Sequence, residues 1–272
     1  MTKAKKVLFI AQELTPYVPE SAMATLGRKL PQILQEGGCE LRIYMPKWGN
    51  INERRNQLHE VIRLSGMNII INDTDYPLII KVASIPTARL QIYFIDNDDL
   101  FRKRQMLADE VGTEYADNAE RAVFYARSVL ETVKKQHWNP DIVHCHGWMS
   151  SIVPFYLKTV YREEPSFVDS KVLFSGYEEM PKEAGPGLAD CIAFRSATKD
   201  VLAKTGIDFS QGAAFGQLAA TFCDGYIQAQ EGAHPELLDY ARSKGVATWA
   251  FPGDEDVAGS YNSIYDSFVG GE

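Results

Sequence analysis

The run Lys6-Val7-Leu8-Phe9-Ile10-Ala11, read together with residues 22–35 and with Cys39-Glu40-Leu41-Arg42-Ile43-Tyr44-Met45, decides the fold. The first stretch is short, apolar and β-rich, the pattern of a buried strand. Residues 22–35 place Met23, Leu26, Leu30, Ile33 and Leu34 at helical spacing, and Gly37-Gly38 ends that helix because glycine tolerates the backbone of a helix terminus. The third stretch alternates as a second strand and is closed by Pro46. Strand, helix, strand is a βαβ unit, and a crossover of this kind makes its two strands parallel.

Working outward, residues 59–64, 67–71, 78–84 and 90–96 read as short strands separated by Gly, Asn, Asp and Pro, which predicts hairpins or an edge excursion. Residues 117–136 form a long helix with Ala122, Val123, Ala126, Val129, Leu130 and Val133 along one stripe. Asn139-Pro140-Asp141 breaks it, and Ile142-Val143-His144-Cys145-His146 is a third strand of the parallel type. Beyond it the spacing predicts a helix over 149–161, a strand over 171–175, a helix over 211–222 and a strand over 224–229. A helix over 235–243, a strand over 246–251 and a last helix over 256–268 follow, while 178–205 gives no clear pattern. Strands and helices alternating from end to end predict one doubly wound α/β domain over residues 1–272, with a mostly parallel sheet.

With 272 residues, 45% hydrophobic and 24% charged, the chain has the composition of an ordinary globular protein. A net charge of −8 argues against nucleic acid or an anionic membrane as partner and leaves a neutral glucan or another protein open. The basic start Met1-Thr2-Lys3 precedes an apolar run that Gln12-Glu13 cuts short, too brief for a signal peptide. Cys39, Cys145, Cys191 and Cys223 are scattered without a Cys-x-x-Cys pair, as in a reducing compartment, so a cytoplasmic protein is expected.

Three blocks resemble the glycogen and starch synthases, retaining glucosyltransferases that build α-1,4-glucan from a nucleotide-glucose donor. They are residues 6–17 with Leu26-Gly27-Arg28-Lys29-Leu30-Pro31, residues 42–51, and the group Tyr93-Phe94-Ile95-Asp96-Asn97, 138–148 and 154–159. Their order and spacing agree over residues 6–178. The resemblance implies the N-terminal, Rossmann-like half of a two-domain glycosyltransferase, in which the donor sits mainly on the other half. It also locates departures. Where the family has a lysine, a threonine and two glycines approaching the donor phosphates, this chain has Pro19, Glu20, Ser21 and Ala22. Proline lacks an amide hydrogen and glutamate repels pyrophosphate. An aspartate of the family is matched by Gly147, and a histidine-asparagine pair by Tyr177-Glu178.

His144 and His146, two apart on a strand, face one way near its carboxyl end, where open α/β sheets put ligands. Their roles rank as structural or cleft-lining, then ligand-contacting, then metal-binding, since no other histidine or acid completes a ligand pattern. Trp48 and Trp148 follow strands and fit either a sugar-stacking rim or packing. Glu13 fits a loop anchor before a hydroxyl contact. Glu178-Glu179 is no catalytic pair if both lie on one strand, where neighbours face opposite ways. The segment Asp96–Arg104 reads as a solvated turn, and Ala184-Gly185-Pro186-Gly187 as a loop signal only.

The expected ligand cleft therefore comprises Glu13, Tyr17, Trp48, His146, Trp148 and Tyr177, gathered on an exposed edge, with no catalytic residue, metal or cofactor. The expected function is a non-catalytic synthase-like protein that binds an α-glucan, a protein partner or a second copy of itself. The alternative is a glucosyltransferase half completed by another chain or by dimerisation.

Overall fold

The computed structural model describes residues 4–185 and 187–269. The basic start Met1-Thr2-Lys3, the last residues 270–272 and Pro186 of the loop signal lie outside the described residues. In chain order the elements are β1 (Lys6–Ala11), α1 (Ala22–Glu36), β2 (Glu40–Pro46), β3 (His59–Glu60), β4 (Asn68–Ile71), β5 (Thr74–Pro77), β6 (Ile79–Ile85), β7 (Leu90–Asp96) and α2 (Asn118–Lys135). They continue with β8 (Ile142–His146), α3 (Val153–Lys158), β9 (Lys171–Gly176), α4 (Leu188–Ile192), α5 (Lys199–Ala203), α6 (Ala213–Phe222), β10 (Gly225–Gln228), α7 (Pro235–Ser243), β11 (Ala247–Trp249) and α8 (Val257–Phe268).

Among the described residues the strands form a nine-stranded sheet in the order β11-β10-β9-β8-β1-β2-β7-β6-β3, with β4-β5 as a separate hairpin. All pairings from β11 to β7 are parallel; β6 and β3 add antiparallel strands at one edge. This is the α/β, Rossmann-like architecture that the βαβ opening implied. The excursion after β2 returns as β7, which joins β2 in parallel before pairing with β6 as a hairpin.

Burial explains the pattern. In β1 Val7 to Ala11 are all fully buried, because a central parallel strand is covered on both faces. Helix α1 buries Met23, Ala24, Gly27, Leu30, Pro31 and Leu34 along one side. Gly27 sits where a Cβ would lie 2.6 Å from the Glu13 carbonyl oxygen, so this turn and helix pack backbone to backbone. Helix α2 is buried around most of its circumference, including Arg121, whose guanidinium donates to the carbonyls of Leu100, Gln105 and Met106 and to Asn118 Oδ1. Burial lowers the Arg121 pKa to about 10.

The helix expected over 149–161 is shorter, because a 3₁₀ turn at Trp148–Ser150 precedes α3. The Asp96–Arg104 turn is not simply solvated. Asp96 and Asn97 are each 1% exposed; Asp96 pairs with Lys81 at 2.7 Å, and the Asn97 amide donates to the Pro77 carbonyl. Asp98, Asp99, Arg102 and Lys103 stay at the surface, where Arg102 pairs with Asp98 at 2.7 Å.

Candidate functional site

The carboxyl ends of β1, β8, β9 and β10 meet the N-terminus of α1 on one edge of the sheet. Ser21 caps α1 by accepting the Ala24 amide at 2.9 Å, as a serine in extended backbone does at this position. Its hydroxyl also donates to Glu13 Oε2 in a short contact. Glu13 is thereby the anchor of the turn, 3% exposed. Beside it, Gln12 accepts the Met149 amide through Oε1 at 3.1 Å, and its Nε2 reaches Glu13 Oε1 at 3.3 Å and Glu179 Oε1 at 3.4 Å. Burial, and then the neighbouring charge of Glu13, raises the Glu179 carboxyl to about 7.

Gly147 explains how Gln12 fits. Its φ of +79° is left-handed, and a Cβ there would meet Gln12 Oε1 at 2.5 Å and Met23 Cε at 2.7 Å. The Gln12 carboxamide therefore occupies the space that a side chain at position 147 would need.

The histidines form a closed cluster below this point. Their rings lie 3.9 Å apart, and His146 stacks on Phe9 at 4.2 Å. His144 is held by Tyr265 Oη at 2.7 Å and Ser175 Oγ at 2.8 Å, and His146 Nδ1 by Tyr177 Oη at 2.9 Å. Burial lowers the His144 pKa to about 3; burial and then His144 lower that of His146. Both rings are neutral at ordinary pH. Among the described residues no group of three or more His, Cys, Asp or Glu side chains is placed to hold a metal ion.

The exposed aromatic edge expected from the sequence is not there. Tyr17, Trp48, His146, Trp148 and Tyr177 are all at most 6% exposed. Trp48 lies under the segment held by Arg121: it donates to the Gln12 carbonyl at 2.7 Å, meets Phe101 edge-on at 5.5 Å and carries the Arg121 guanidinium 5.3 Å above its ring. Trp148 packs edge-on against Phe215 of α6 at 5.4 Å, and Tyr17 against Phe94 at 4.9 Å. Polar tips and neighbouring loops have turned rim positions into core.

What remains open is a groove. A cavity of about 600 Å³ runs between α1 and α8, lined among others by Glu20, Ser21, Ala22, Gln230, Asp254 and Tyr261. It shares Ser21, Ala22 and Gln230 with a second cavity of about 360 Å³ that is lined by Glu13, Tyr177, Glu178 and Glu179. The expectation that Glu178 and Glu179 face apart fails because β9 stops at Gly176, so neither is on a strand and both line the same space. Tyr177 and Glu13 are the expected cleft residues that reach it, and Glu20, Ser21, Ala22 and Glu178, expected from the resemblance to depart from the family, line it as well. Sequence reasoning missed Gln12, Gln230 and the Phe251–Asp254 wall, since loop residues carry no periodicity, and weighed Glu179 only as half of a catalytic pair.

The starch synthase catalytic domain model matches residues 6–245. This chain belongs to that family. The glycogen synthase of Chlorobium luteolum is 39% identical over 171 residues, 62% of this chain and 35% of that protein. That of Chlorobium phaeovibrioides is 42% identical over 163 residues, 60% of this chain and 33% of that protein. Among solved structures, the catalytic domain of starch synthase IV from Arabidopsis thaliana bound to ADP and acarbose matches with a TM-score of 0.71. It is 16% identical and covers 92% of this chain and 51% of that one, a likeness of fold. The chain spans about a third of the length of the curated relatives it matches.

Proposed function

We propose that this starch-synthase-family chain is a non-catalytic, cytoplasmic protein of glucan metabolism that works as one domain and binds a glucan or a protein partner at the carboxyl edge of its sheet. The observation that carries this is the charge around the α1 N-terminus. A helix start is an anion site when its amides and a nearby base face the ligand. Here Glu13, Glu20, Glu178 and Glu179 surround it, and Ser21 already occupies the Ala24 amide. A nucleoside diphosphate brought to this turn meets carboxylates at each approach. The space next to Gln12 is closed to a side chain at Gly147 as well.

The experiment is transfer of labelled glucose from ADP-glucose to glycogen, run beside calorimetric titration with maltooligosaccharides and with ADP-glucose. No transfer and no heat from ADP-glucose are expected. Turnover abolished by a substitution at Glu13 would overturn the proposal and favour a second role, a glucosyltransferase half completed by another chain or by dimerisation. The 39% identity over 171 residues to a full-length glycogen synthase is what favours that second role.

A further inference from the structure

The groove differs from an ordinary solvated acidic surface in two respects. Its floor is apolar: Val257 and Tyr261 of α8 are 2% exposed, and Leu26, Phe251 and Pro252 are partly covered beside them. Its carboxylates lack cationic partners. Among the described residues Glu20, Glu231 and Asp254 at one end, and Glu13, Glu178 and Glu179 at the other, enter no ion pair. Their hydrogen bonds come from neutral groups, as from Gln230 Nε2 to Glu178 at 3.0 Å. Among the described residues Lys29 is the single base lining either cavity, and its ammonium donates to the Asp254 carbonyl at 3.3 Å.

We propose that this groove is a docking site for an extended basic segment of a partner protein, one whose lysine or arginine side chains are separated by apolar residues. Charge complementarity selects the sign, because desolvating unpaired carboxylates against a neutral or anionic ligand is unfavourable, whereas a cation offsets that cost. The layout selects a peptide over a free amine. Carboxylates stand at both ends, with the apolar floor under the α1–α8 end and the two cavities joined through Ser21, Ala22 and Gln230. A small amine satisfies one end only and leaves the floor wet. An extended chain advances about 3.3 Å per residue and spans both. The occupant rests on the binding role proposed above, and its sign is the reverse of a nucleotide's.

The test uses three probes with the full chain at moderate salt, read by fluorescence anisotropy with competition. The first is a labelled seven-residue peptide alternating lysine with leucine and serine, the second is the same peptide with glutamate for lysine, and the third is unlabelled spermidine. Saturable binding is expected for the first and none for the second, and spermidine should compete at least about tenfold more weakly than unlabelled lysine peptide. The double variant Glu20→Lys with Asp254→Lys should weaken lysine-peptide binding about tenfold or more. The control Glu163→Lys with Asp169→Lys adds the same charge near the opposite, amino-terminal edge of the sheet and should change it less than about twofold. Equal losses in both variants, spermidine competing as well as the peptide, or no binding at all would each overturn the docking site. Glucose transfer would instead overturn the non-catalytic role, so the two failures are separable.

Discussion

The histidine–aromatic cluster under the strand ends and the carboxylate groove beside it meet at Gln12, yet they treat polar groups in opposite ways. In the cluster, His144, His146 and Tyr177 are buried and three ring nitrogens pair with hydroxyls without charge, while among the described residues His146 Nε2 has no partner. In the groove, six carboxylates line two joined cavities and, among the described residues, enter no ion pair. The cluster is built on residues 142–146, part of the stretch that carries the resemblance to the family, and there they serve packing. The groove is lined by Glu20, Ser21, Ala22 and Glu178, positions expected from the sequence to depart from the family, and there the surface stays open. Strand-end residues thus maintain the fold, and loop residues around the α1 N-terminus set the charge of the edge.

The largest effect should come from placing at position 147 the aspartate that the resemblance implies for the family. Gly147→Asp places a side chain at a φ of +79°, drives its Cβ against the Gln12 carboxamide and buries a new charge near Glu13 and Glu179. A loss of about 4 kcal/mol is expected in urea unfolding, from backbone strain, overpacking and an unpaired buried charge together. No transferase activity should appear. A loss under about 1 kcal/mol would show that Gln12 moves aside easily, and the border between the two regions would then be soft.

How far each region was legible follows from the same contrast. The β1–α1–β2 unit and helix α7 were readable to within a residue or two, because burial there imposes a period on the chain. Helices α4 and α5, five residues each, were not; such short turns take their shape from what they pack on rather than from their own pattern. The hairpin β4–β5 had a signal in Asn72-Asp73, both at positive φ, that a search for turn dipeptides finds. At the site, Glu13 as an anchor was legible from its place after β1. The burial of Trp48 was not, because its cover comes from Arg121 and Phe101, far along the chain.

A second, smaller effect separates the regions by pH. His144 and His146 are held neutral in the folded protein, with His144 near 3, while in the unfolded chain each titrates near 6.5. The unfolded state therefore binds more protons below that value. The stability tied to the pair is fully present above about pH 6.5 and is lost as pH falls toward about 3, by up to roughly 1.4 kcal/mol per pH unit for each ring. Unfolding measured between pH 6 and 5 should show this slope, and His146→Gln should reduce it by about half. An unchanged slope in the variant would mean that the second ring titrates freely and that the cluster is less dry than its contacts imply.

The smallest effect concerns Glu179, a groove carboxyl that Gln12 ties to the interior, and its sign is opposite. Its folded pKa is raised to about 7 against an ordinary carboxyl near 4.5, so the folded state binds the extra proton. That contribution is complete below about pH 4.5 and is lost as pH rises through about 7, where Glu179 ionises beside Glu13. Glu179→Gln imitates the protonated form and keeps an amide oxygen for Gln12 Nε2. It should leave stability near pH 4 almost unchanged and raise it at pH 8 by about 1 kcal/mol, a figure discounted for the partial exposure of the side chain. Paired urea titrations at the two pH values give the difference directly. Equal effects at both would mean that Glu179 ionises as a surface acid does, and the boundary between dry cluster and wet groove would then lie on the inner side of Gln12.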